Sequence, residues 1–397
     1  MKILVVNAGS SSLKFQLIGM DTETVICKGV IENIGLDSSK LTYKIRDEKI
    51  ELKKPLKDHT EAFALLITTL TTGDTAAIES VDEISAIGHR VLHAGEDFTG
   101  SVVVDAEALK LMKKNIELGP LHMPANIKCI ESCMEIFPGK PNVAVFDTAF
   151  HSTMPEYAYM YAINYSDYKK YHVRKYGFHG TSHKYISREA IKMMGNPEHS
   201  KIITCHLGNG SSISAVQDGK SIDTSMGLTP LEGVMMGTRS GDIDPAAVQF
   251  LMKKKNMNID QMIEYLNNKC GYLGVSEFSS DSRAVIQESW NGNKQAELAL
   301  NMSFYRMKKY IGSYAAAMNG VDCIVFAGGI GENSWFTREN VMKNMEYLGI
   351  DFDFEKNKNF PRGTRGELST PNSKVRVFVI PTDEELVIAK ETEELVK

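Results

Sequence analysis

The N-terminal segment constrains the fold most, because it reads as two strands joined by a tight loop. Residues 3–6 (ILVV) form an unbroken apolar run, residues 7–12 (NAGSSS) form a turn, and residues 13–18 resume with alternating apolar and polar side chains. This pattern predicts strand, loop and strand. Small residues and hydroxyls let the backbone approach an anion closely, and Lys14 adds positive charge just beyond the loop.

The expected ligand of this loop is a phosphate, although an ordinary hairpin with a serine-rich turn has the same local pattern. A Walker-type loop is excluded, because the segment lacks a Gly-Lys-Ser/Thr end and runs into a strand instead of a helix. A second copy favours the phosphate interpretation: residues 202–207 form a mostly apolar strand, residues 208–212 (GNGSS) form a loop, and residues 213–216 resume the alternation. The recurrence predicts two similar domains that hold a nucleotide between them.

Length and composition agree with two domains of an ordinary globular protein. A chain of 397 residues exceeds what one core usually supports. The net charge of -5 offers no electrostatic footprint for nucleic acid or an anionic membrane. The six cysteines form no CxxC pair and no zinc spacing, which predicts reduced thiols in a cytoplasmic protein. We expect no signal peptide and no membrane span, since Asn319, Gly320 and Asp322 interrupt the most apolar stretch.

Two charged side chains lie at the ends of predicted strands in the first half of the chain. Arg90 lies near the end of the strand at residues 84–91, and Asp147 comes directly after the apolar run 143–146. A guanidinium held at a strand end suits recognition of a carboxylate or phosphate. The carboxyl ends of strands in open α/β sheets are also where ligand-binding groups lie. An exposed arginine and a turn-forming aspartate are the alternatives. His122 lies in a loop just before a helix predicted to start near Ala125.

The second half contains two polar segments suited to anions. In residues 176–183 (YGFHGTSH), two histidines are four apart, but no glutamate completes a zinc motif and Gly180 weakens a helix there. His179 is therefore interpreted as a donor to an oxyanion. The Gly- and Thr-rich segment 228–245 carries Arg239 between glycines, which predicts a well-aimed side chain, although a plain surface loop is the alternative.

Three further patterns fall toward the C-terminus. Residues 245–266 and 294–318 have helical periodicity, interpreted as core or subunit contacts. The strand at 323–327 enters a glycine-rich junction at 328–333, where phosphates and a base can lie against bare backbone. Residues 382–385 predict a capping box of Thr382 with Glu385 that opens the last helix, leaving Glu384 free to help hold a cation.

Eight motifs in this order resemble the acetokinase family, within the superfamily of acetate and sugar kinases, Hsp70 and actin: NAGSSSLKF, GHRVLHAGE, FDTAFH, YGFHGTSH, HLGNGSS, MGTRSGDIDP, FAGGIGEN and PTDEELVIA. The resemblance runs from Met1 to the last helix. It implies an α/β fold with two duplicated ribonuclease-H-like (actin-like ATPase) domains and a nucleotide cleft between them. The implied domains are residues 1–150, on which the C-terminal helix at 384–397 packs back, and residues 151–383 for nucleotide binding and dimerisation.

The implied reaction is reversible phosphoryl transfer from ATP to acetate, giving acetyl phosphate and ADP. By resemblance, Arg90 holds the acetate, Arg239 and His179 stabilise the transferring phosphoryl group, and His122 assists. Asp147 orients Arg90 or accepts a proton. The resemblance implies Mg²⁺ (with Mn²⁺ as an alternative) at Asn7 and Glu384; phosphate contacts at Ser10, Ser12 and Lys14; and nucleotide contacts at His206, Leu207, Gly208, Asn209, Gly210, Asp281, Ser282, Arg283, Gly329, Ile330, Gly331, Glu332 and Asn333.

The acyl methyl is expected in an apolar pocket of Leu92, Leu121, Phe178 and Pro230. Leu92 stands where the family often has valine, which predicts a tighter pocket than usual. A cytoplasmic homodimer that binds neither nucleic acid nor membrane is also implied. A propionate or butyrate kinase would share the phosphate machinery. An actin-like or Hsp70-like nucleotide switch would share the two loops but has no use for Arg90, His179 and Arg239 together.

Overall fold

The computed structural model describes residues 1–120 and 122–397, and the chain divides into two compact units. Unit 1 comprises Met1–Phe150 and Asp383–Lys397, and unit 2 comprises His151–Thr382. The final helix thus belongs to unit 1, although all of unit 2 lies between it and the rest of that unit in the chain. No helix in the described ranges is both long and apolar enough to cross a bilayer.

Each unit contains one β-sheet covered by helices. The strands are β1 Lys2–Ala8, β2 Leu13–Gly19, β3 Thr24–Glu32, β4 Lys40–Ile45, β5 Glu48–Lys53, β6 Ile84–Val91, β7 Val102–Val103, β8 Asn142–Phe146, β9 Lys201–Leu207, β10 Ser211–Gln217, β11 Lys220–Thr224, β12 Cys323–Ala327, β13 Gly366–Glu367 and β14 Arg376–Val379. The helices are α1 His59–Thr71, α2 Ala106–Lys114, α3 Met123–Ile136, α4 Glu156–Tyr159, α5 Tyr165–Tyr171, α6 Gly180–Met193, α7 Pro245–Lys255, α8 Ile259–Asn268, α9 Gly271–Ser276, α10 Ser282–Trp290, α11 Lys294–Ala317, α12 Gly328–Asn333, α13 Trp335–Met342, α14 Phe354–Lys358 and α15 Glu384–Val396.

The sheet of unit 1 has the strand order β5-β4-β3-β2-β1-β6-β8-β7. Strand β1 pairs antiparallel with β2 and parallel with β6, which pairs parallel with β8. The apolar run of β1 is buried on both faces, as expected for a central strand covered by helices on either side. Leu4 and Val6 pack with α1 and α3, whereas Ile3 and Val5 pack with α15.

Helix α15 approaches the sheet closely at Gly88. A Cβ at this position would lie 2.5 Å from Thr392 Oγ1 and 2.7 Å from Ile388 Cγ2. Any larger residue would push the helix away from β6, so the glycine permits the return of the chain's last segment to unit 1.

The sheet of unit 2 repeats the central arrangement of unit 1. Its order is β11-β10-β9-β12-β14-β13. Strand β9 pairs antiparallel with β10 and parallel with β12, and β12 pairs parallel with β14. The series β11-β10-β9-β12-β14 therefore matches β3-β2-β1-β6-β8 strand for strand. This shared order confirms the predicted duplicated α/β fold, with the long helix α11 packed on the second core.

One predicted segment is divided in two, and one predicted helix cap is wrong. The helical periodicity at residues 245–266 corresponds to two helices, because Asn256 adopts a left-handed conformation (φ 50°) after α7 and Asn258 starts α8 with its own capping box. The cap of α15 is Asp383, whose carboxylate accepts from the Leu386 amide at 3.0 Å. Thr382 instead donates its amide to Glu332 and its hydroxyl to Ser182, since tertiary partners compete for its side chain.

Candidate active site

The loop between β1 and β2 is a tight turn at Gly9–Ser12, shorter than the sequence predicts. Asn7 belongs to β1, where it pairs with Lys14 across the antiparallel ladder. The Gly9 amide donates to the Ser12 carbonyl at 2.9 Å, and His59 Nε2 lies 2.9 Å from the Gly9 carbonyl oxygen. Ser10 is exposed, and Ser12 is half-buried. The turn presents hydroxyls, with Lys14 next along the chain.

A partly buried ion pair links the two charged strand ends of unit 1. Arg90 Nε donates to Asp147 Oδ1 at 3.0 Å, and Nη2 donates to Oδ2 at 2.6 Å. Asp147 is 1% exposed. The neighbouring carboxylate of Asp147 raises the pKa of Arg90, although desolvation of the guanidinium lowers it. Asp147 therefore fixes one edge of the guanidinium plane, and Nη1 remains for a further partner.

Glu384 and Glu385 begin helix α15 beside this pair. Glu384 Oε2 lies 4.0 Å from Arg90 Nη2. Burial raises the pKa of the Glu385 carboxyl, with smaller contributions from the charges of Glu384 and Asp383. Glu385 and Asn7 both line a cavity of about 260 Å³ against the sheet, together with Lys14. The oxygen donors Asn7 and Glu384, assigned to a cation by resemblance, therefore both lie in unit 1.

The predicted acyl-side residues of unit 1 lie around the start of α3. Leu92 is half-buried in the cluster that contains Met123, and a Cβ at Gly119 would lie 3.0 Å from its Cδ2. Asn126 accepts from the Leu92 amide at 3.1 Å and donates to the Ala8 carbonyl at 2.8 Å. The side-chain amide of Asn126 thus links β1 to the segment after β6. His122 is the exposed N-cap residue of α3, and Leu121 lies outside the described residues.

In unit 2, two histidines stack beside the second glycine loop. The rings of His179 and His206 are 4.3 Å apart at 17°. His179 has a left-handed backbone (φ 56°) and precedes α6 directly. His206 Nδ1 lies 2.7 Å from the Ser182 hydroxyl, which fixes the His206 ring from behind. A Cβ at Gly210 would lie 3.4 Å from both His179 Nε2 and Arg239 Nη1, so both side chains lie against this glycine.

The arginine of this cluster is held by uncharged groups. Arg239 Nη1 donates to the Pro230 carbonyl at 3.1 Å and contacts the Met236 sulfur at 3.7 Å. Burial lowers the pKa of Arg239. Pro230 is half-buried and Phe178 is 2% exposed, with His151 Nε2 3.0 Å from the Phe178 carbonyl oxygen. Pro230 and Phe178, the predicted acyl-pocket residues of unit 2, are therefore positioned by hydrogen bonds to their backbone carbonyl oxygens.

Asp242 closes the loop that carries Arg239. Its side chain accepts from the Gly233 amide at 2.8 Å and from the Tyr310 hydroxyl at 2.7 Å, and its own amide donates to the Gly233 carbonyl at 2.9 Å. Gly233 and Gly241 both have positive φ, and a Cβ at either would collide with backbone atoms. These contacts make the base of the loop rigid.

A cavity of about 850 Å³ in unit 2 brings together most of the predicted nucleotide residues. The predicted residues that line it are Gly208, Asn209, Asp281, Ser282, Arg283, Gly329, Ile330 and Asn333. Asp281 caps α10 and holds the Arg283 guanidinium at 2.7 to 3.2 Å, and these hydrogen bonds lower the pKa of the Asp281 carboxyl. The arrangement is a polar rim at the start of a helix.

Five predicted nucleotide residues do not line the cavity, and one of them is His206, described above with His179. Leu207 is fully buried in the core, and Gly331 is buried within α12. Glu332 accepts from the amides of Gly328 and Thr382, which fixes the glycine-rich junction. Gly210 closes the β9–β10 loop by accepting from Gly208 at 3.1 Å.

The cavity also contains aromatic and basic side chains that sequence analysis missed. Trp290 and Trp335 stack with centroids 6.3 Å apart at 24°, and Phe336 and Arg362 complete this part of the wall. Ser280, Ile286 and Ser334 line it as well. Trp335 follows the glycine-rich junction by two positions, which is a usable signal. Arg362 lies in an irregular polar stretch with no pattern that marks it.

Comparison with known proteins places these features in one family. The Acetokinase family model matches residues 2–390. The acetate kinase of Thermoanaerobacterium thermosaccharolyticum is 54% identical, with coverage of 100% of this chain and 99% of that protein. The acetate kinase of Thermotoga maritima is 51% identical at the same coverage.

Solved structures agree with the sequence relatives. The crystal structure of Porphyromonas gingivalis acetate kinase is 46% identical with a TM-score of 0.97, covering 100% of both chains. A propionate kinase from Francisella tularensis subsp. tularensis is 42% identical with a TM-score of 0.92, covering 99% of both. The chain therefore belongs to the acetokinase family.

Proposed function

We propose that the chain catalyses reversible phosphoryl transfer from ATP to acetate, giving acetyl phosphate and ADP. The observation that carries this proposal is the full-length identity of 51% and 54% to acetate kinases. An acetate oxygen attacks the γ-phosphorus as the bond to the bridging oxygen breaks, and that oxygen leaves with ADP. Because both reactants are anions, catalysis requires positioning and charge neutralisation.

Arg90 binds the acetate carboxylate through its N–H donors. Its Nε and Nη2 are committed to Asp147, which leaves the Nη1 edge for the substrate. A guanidinium held in this way loses little side-chain entropy when a second carboxylate binds. Asp147 acts as a positioning residue, because it orients Arg90 and offsets part of its charge before acetate arrives.

Arg239 and His179 stabilise the transferring phosphoryl group. Their side chains meet at Gly210, where the absence of a Cβ leaves room for an anion beside both. The Arg239 guanidinium is bonded to a carbonyl oxygen and has no carboxylate partner among the described residues, so its full charge acts on the phosphoryl oxygens. Donors that are already in place cost no reorganisation during the reaction.

Asn7 and Glu384 would hold Mg²⁺, with Mn²⁺ as an alternative. An amide oxygen and a carboxylate are the hard donors these ions prefer, and few protein ligands suffice because Mg²⁺ retains waters. Arg90 does not prevent this, since its charge faces Asp147 more closely than Glu384. The ion would neutralise phosphate charge. The larger cavity of unit 2, with its tryptophan pair and glycine-lined edge, would take the nucleotide.

A hydroxamate assay across short-chain carboxylates with ATP and Mg²⁺ tests this function. We expect acyl phosphate formation with acetate, and much less with propionate or butyrate. Equal or better rates with propionate would instead indicate a propionate kinase, the activity after which one structural relative is named. ATP hydrolysis that is indifferent to every carboxylate would contradict the proposal and favour a nucleotide switch.

We also infer a cytoplasmic homodimer. All six cysteines are free thiols, which suits a reducing compartment. Unit 2 exposes large apolar side chains on three helices, namely Phe250, Ile259, Ile263, Leu298 and Tyr305. Sedimentation of the native chain should give twice the monomer mass, and Tyr305→Glu should weaken the association. A native monomer at micromolar concentration would contradict it.

A further inference from the structure

Three metal-ligating side chains meet in the core of unit 1, apart from the groups assigned to catalysis. His89 lies on β6, and Cys129 and Cys133 lie on α3. Their ligand atoms are all within 4.8 Å of one another. The three residues are 1%, 2% and 0% exposed. Thiolate and imidazole ligands lie about 2.0 to 2.3 Å from a bound Zn²⁺ in a tetrahedral arrangement, which separates two ligand atoms by about 3.3 to 3.8 Å. The three ligand atoms would therefore move closer together when an ion binds.

The backbone explains why these side chains converge. Cys129 and Cys133 are one helical turn apart, so both point from the same face of α3. That face packs against the sheet, where His89 occupies the neighbouring position to Arg90 on β6. Sequence analysis found no zinc spacing because the cysteines are separated by three residues and the histidine comes from another element.

The orientation of His89 is the second observation that indicates a ligand site. Asn142 Nδ2 donates to the Lys140 carbonyl at 3.0 Å, so its Oδ1 is the atom that lies 2.7 Å from His89 Nε2. Nε2 therefore carries the proton, and the lone pair of Nδ1 faces Cys129 Sγ at 4.0 Å. Metal-bound imidazoles are held in this way, by an outer acceptor that fixes the tautomer and aims the lone pair inward.

Another buried cysteine of the same unit provides the contrast. Cys27 is 2% exposed and packs in the same apolar cluster, where burial raises the pKa of its thiol. Cys129, by contrast, has its Sγ 4.0 Å from His89 Nδ1. A cysteine that only fills space in a core needs no imidazole beside it.

We propose that His89, Cys129 and Cys133 bind one thiophilic divalent d¹⁰ metal ion, such as Zn²⁺ or Cd²⁺. Two thiolates neutralise a divalent cation, whereas Cu⁺ would leave a net negative charge in an apolar core. Binding releases the two thiol protons to solvent. The ion links α3 to β6 as a structural element. With three protein ligands instead of the four of closed structural zinc sites, its affinity is expected to be lower than that of a zinc finger.

The test uses the full-length protein, stripped with a chelator under reducing conditions and then refolded with ZnCl₂ or CdCl₂. After desalting, elemental analysis should find one ion per chain, and the Cd²⁺ form should show thiolate-to-metal charge-transfer absorption. Cys129→Ala and Cys133→Ala should each lose the ion and the absorption. Cys27→Ala is the matched control, a buried cysteine outside the cluster, and should retain both.

Two results would overturn the proposal. One is Cd²⁺ retained equally by the Cys129→Ala and Cys133→Ala variants; the other is a native chain that retains no ion. If those variants fail to fold, ¹¹³Cd NMR of the unmodified chain decides instead, because a ligand set of two sulfurs and one nitrogen differs from oxygen ligation.

Discussion

The two units share the order of five strands, but Arg90 in unit 1 and Arg239 in unit 2 have different kinds of partner. In unit 1, Arg90 is paired with the buried carboxylate of Asp147, which raises the pKa of Arg90. In unit 2, Arg239 is bonded to the Pro230 carbonyl, and burial lowers the pKa of Arg239. A guanidinium whose charge is partly neutralised by a carboxylate suits a substrate with a single negative charge. A guanidinium without a carboxylate partner suits a phosphoryl group whose charge must be stabilised in the transition state.

The serine-rich loops differ in a similar way. In unit 1, Ser10 and Ser11 are exposed in the β1–β2 turn. In unit 2, Ser211 and Ser212 are buried, and the Ser211 hydroxyl donates to the Gly208 carbonyl at 3.0 Å while it lies 3.2 Å from the Gly208 amide. Similar motifs thus supply hydroxyls to solvent in one unit and internal hydrogen bonds in the other. Burial, which the local sequence does not specify, decides between these roles.

Arg239→Ala should have the largest effect. Loss of an uncompensated, preorganised donor is expected to lower kcat by at least about two orders of magnitude. Arg239→Lys should restore only part of the rate, since a lysine keeps the charge but not the planar fork. Steady-state kinetics on protein verified as folded would measure this, with the exposed Arg365→Ala as control. Near-normal turnover in Arg239→Ala would remove it from the phosphoryl site.

Arg90→Ala should also lower kcat by about two orders of magnitude, and should raise the KM for acetate as well. The added KM effect follows from a role in ground-state carboxylate binding, and it distinguishes Arg90 from Arg239. Asp147→Asn, which keeps the shape but removes the charge, should give an intermediate loss. If the KM for acetate rises in Arg239→Ala and not in Arg90→Ala, the two assignments are reversed.

Leu92→Ala should change acyl selectivity by a smaller factor. One methylene in an apolar pocket is worth about 1 to 3 kcal/mol, so the native chain should prefer acetate to propionate by at least about tenfold in kcat/KM. The variant should narrow this ratio and leave the KM for ATP unchanged. Leu111→Ala, which truncates another leucine of the same cluster, is the control for stability. An unaltered ratio in Leu92→Ala means that Leu92 does not line the pocket.

Glu384→Ala should raise the Mg²⁺ concentration needed for half-maximal rate by several-fold, because Mg²⁺ retains waters and uses few protein ligands. The helix should persist, since its cap is Asp383. Circular dichroism measures the helix content, and a Mg²⁺ titration measures the concentration needed for half-maximal rate. Glu393→Ala serves as a control on the same helix. An unshifted titration would exclude Glu384 from the metal site.

Ser211→Ala should have the smallest effect and should act on stability. Loss of a buried hydroxyl that bonds both ends of Gly208 is expected to lower the free energy of unfolding by about 1 kcal/mol. Ser11→Ala, at the exposed counterpart, should leave it unchanged. Urea unfolding of the two variants would measure the difference. Equal stabilities would contradict the contrast between the loops.

Most of the secondary structure at the site was predictable, because it depends on short-range patterns. The strands before each loop, the strand ends with Arg90 and Asp147, and the strand before the glycine-rich junction occur where periodicity and turn residues predict them. The error at the α15 cap has a tertiary cause, because Thr382 is engaged by Glu332 and Ser182. The division of residues 245–266 into two helices has a local cause, since Asn256 and Asn258 separate them.

The sequence by itself determined the duplicated strand-loop-strand units, the family and the types of residue available for the chemistry. These properties depend on hydrophobic period, turn chemistry and motif order, all of which are local. Only the tertiary structure decided that Arg90 pairs with Asp147, that Trp290 stacks on Trp335, and that His89 meets two cysteines of α3. Each of these contacts joins residues at least 40 positions apart, so it exists only because the sheets and helices bring distant segments together.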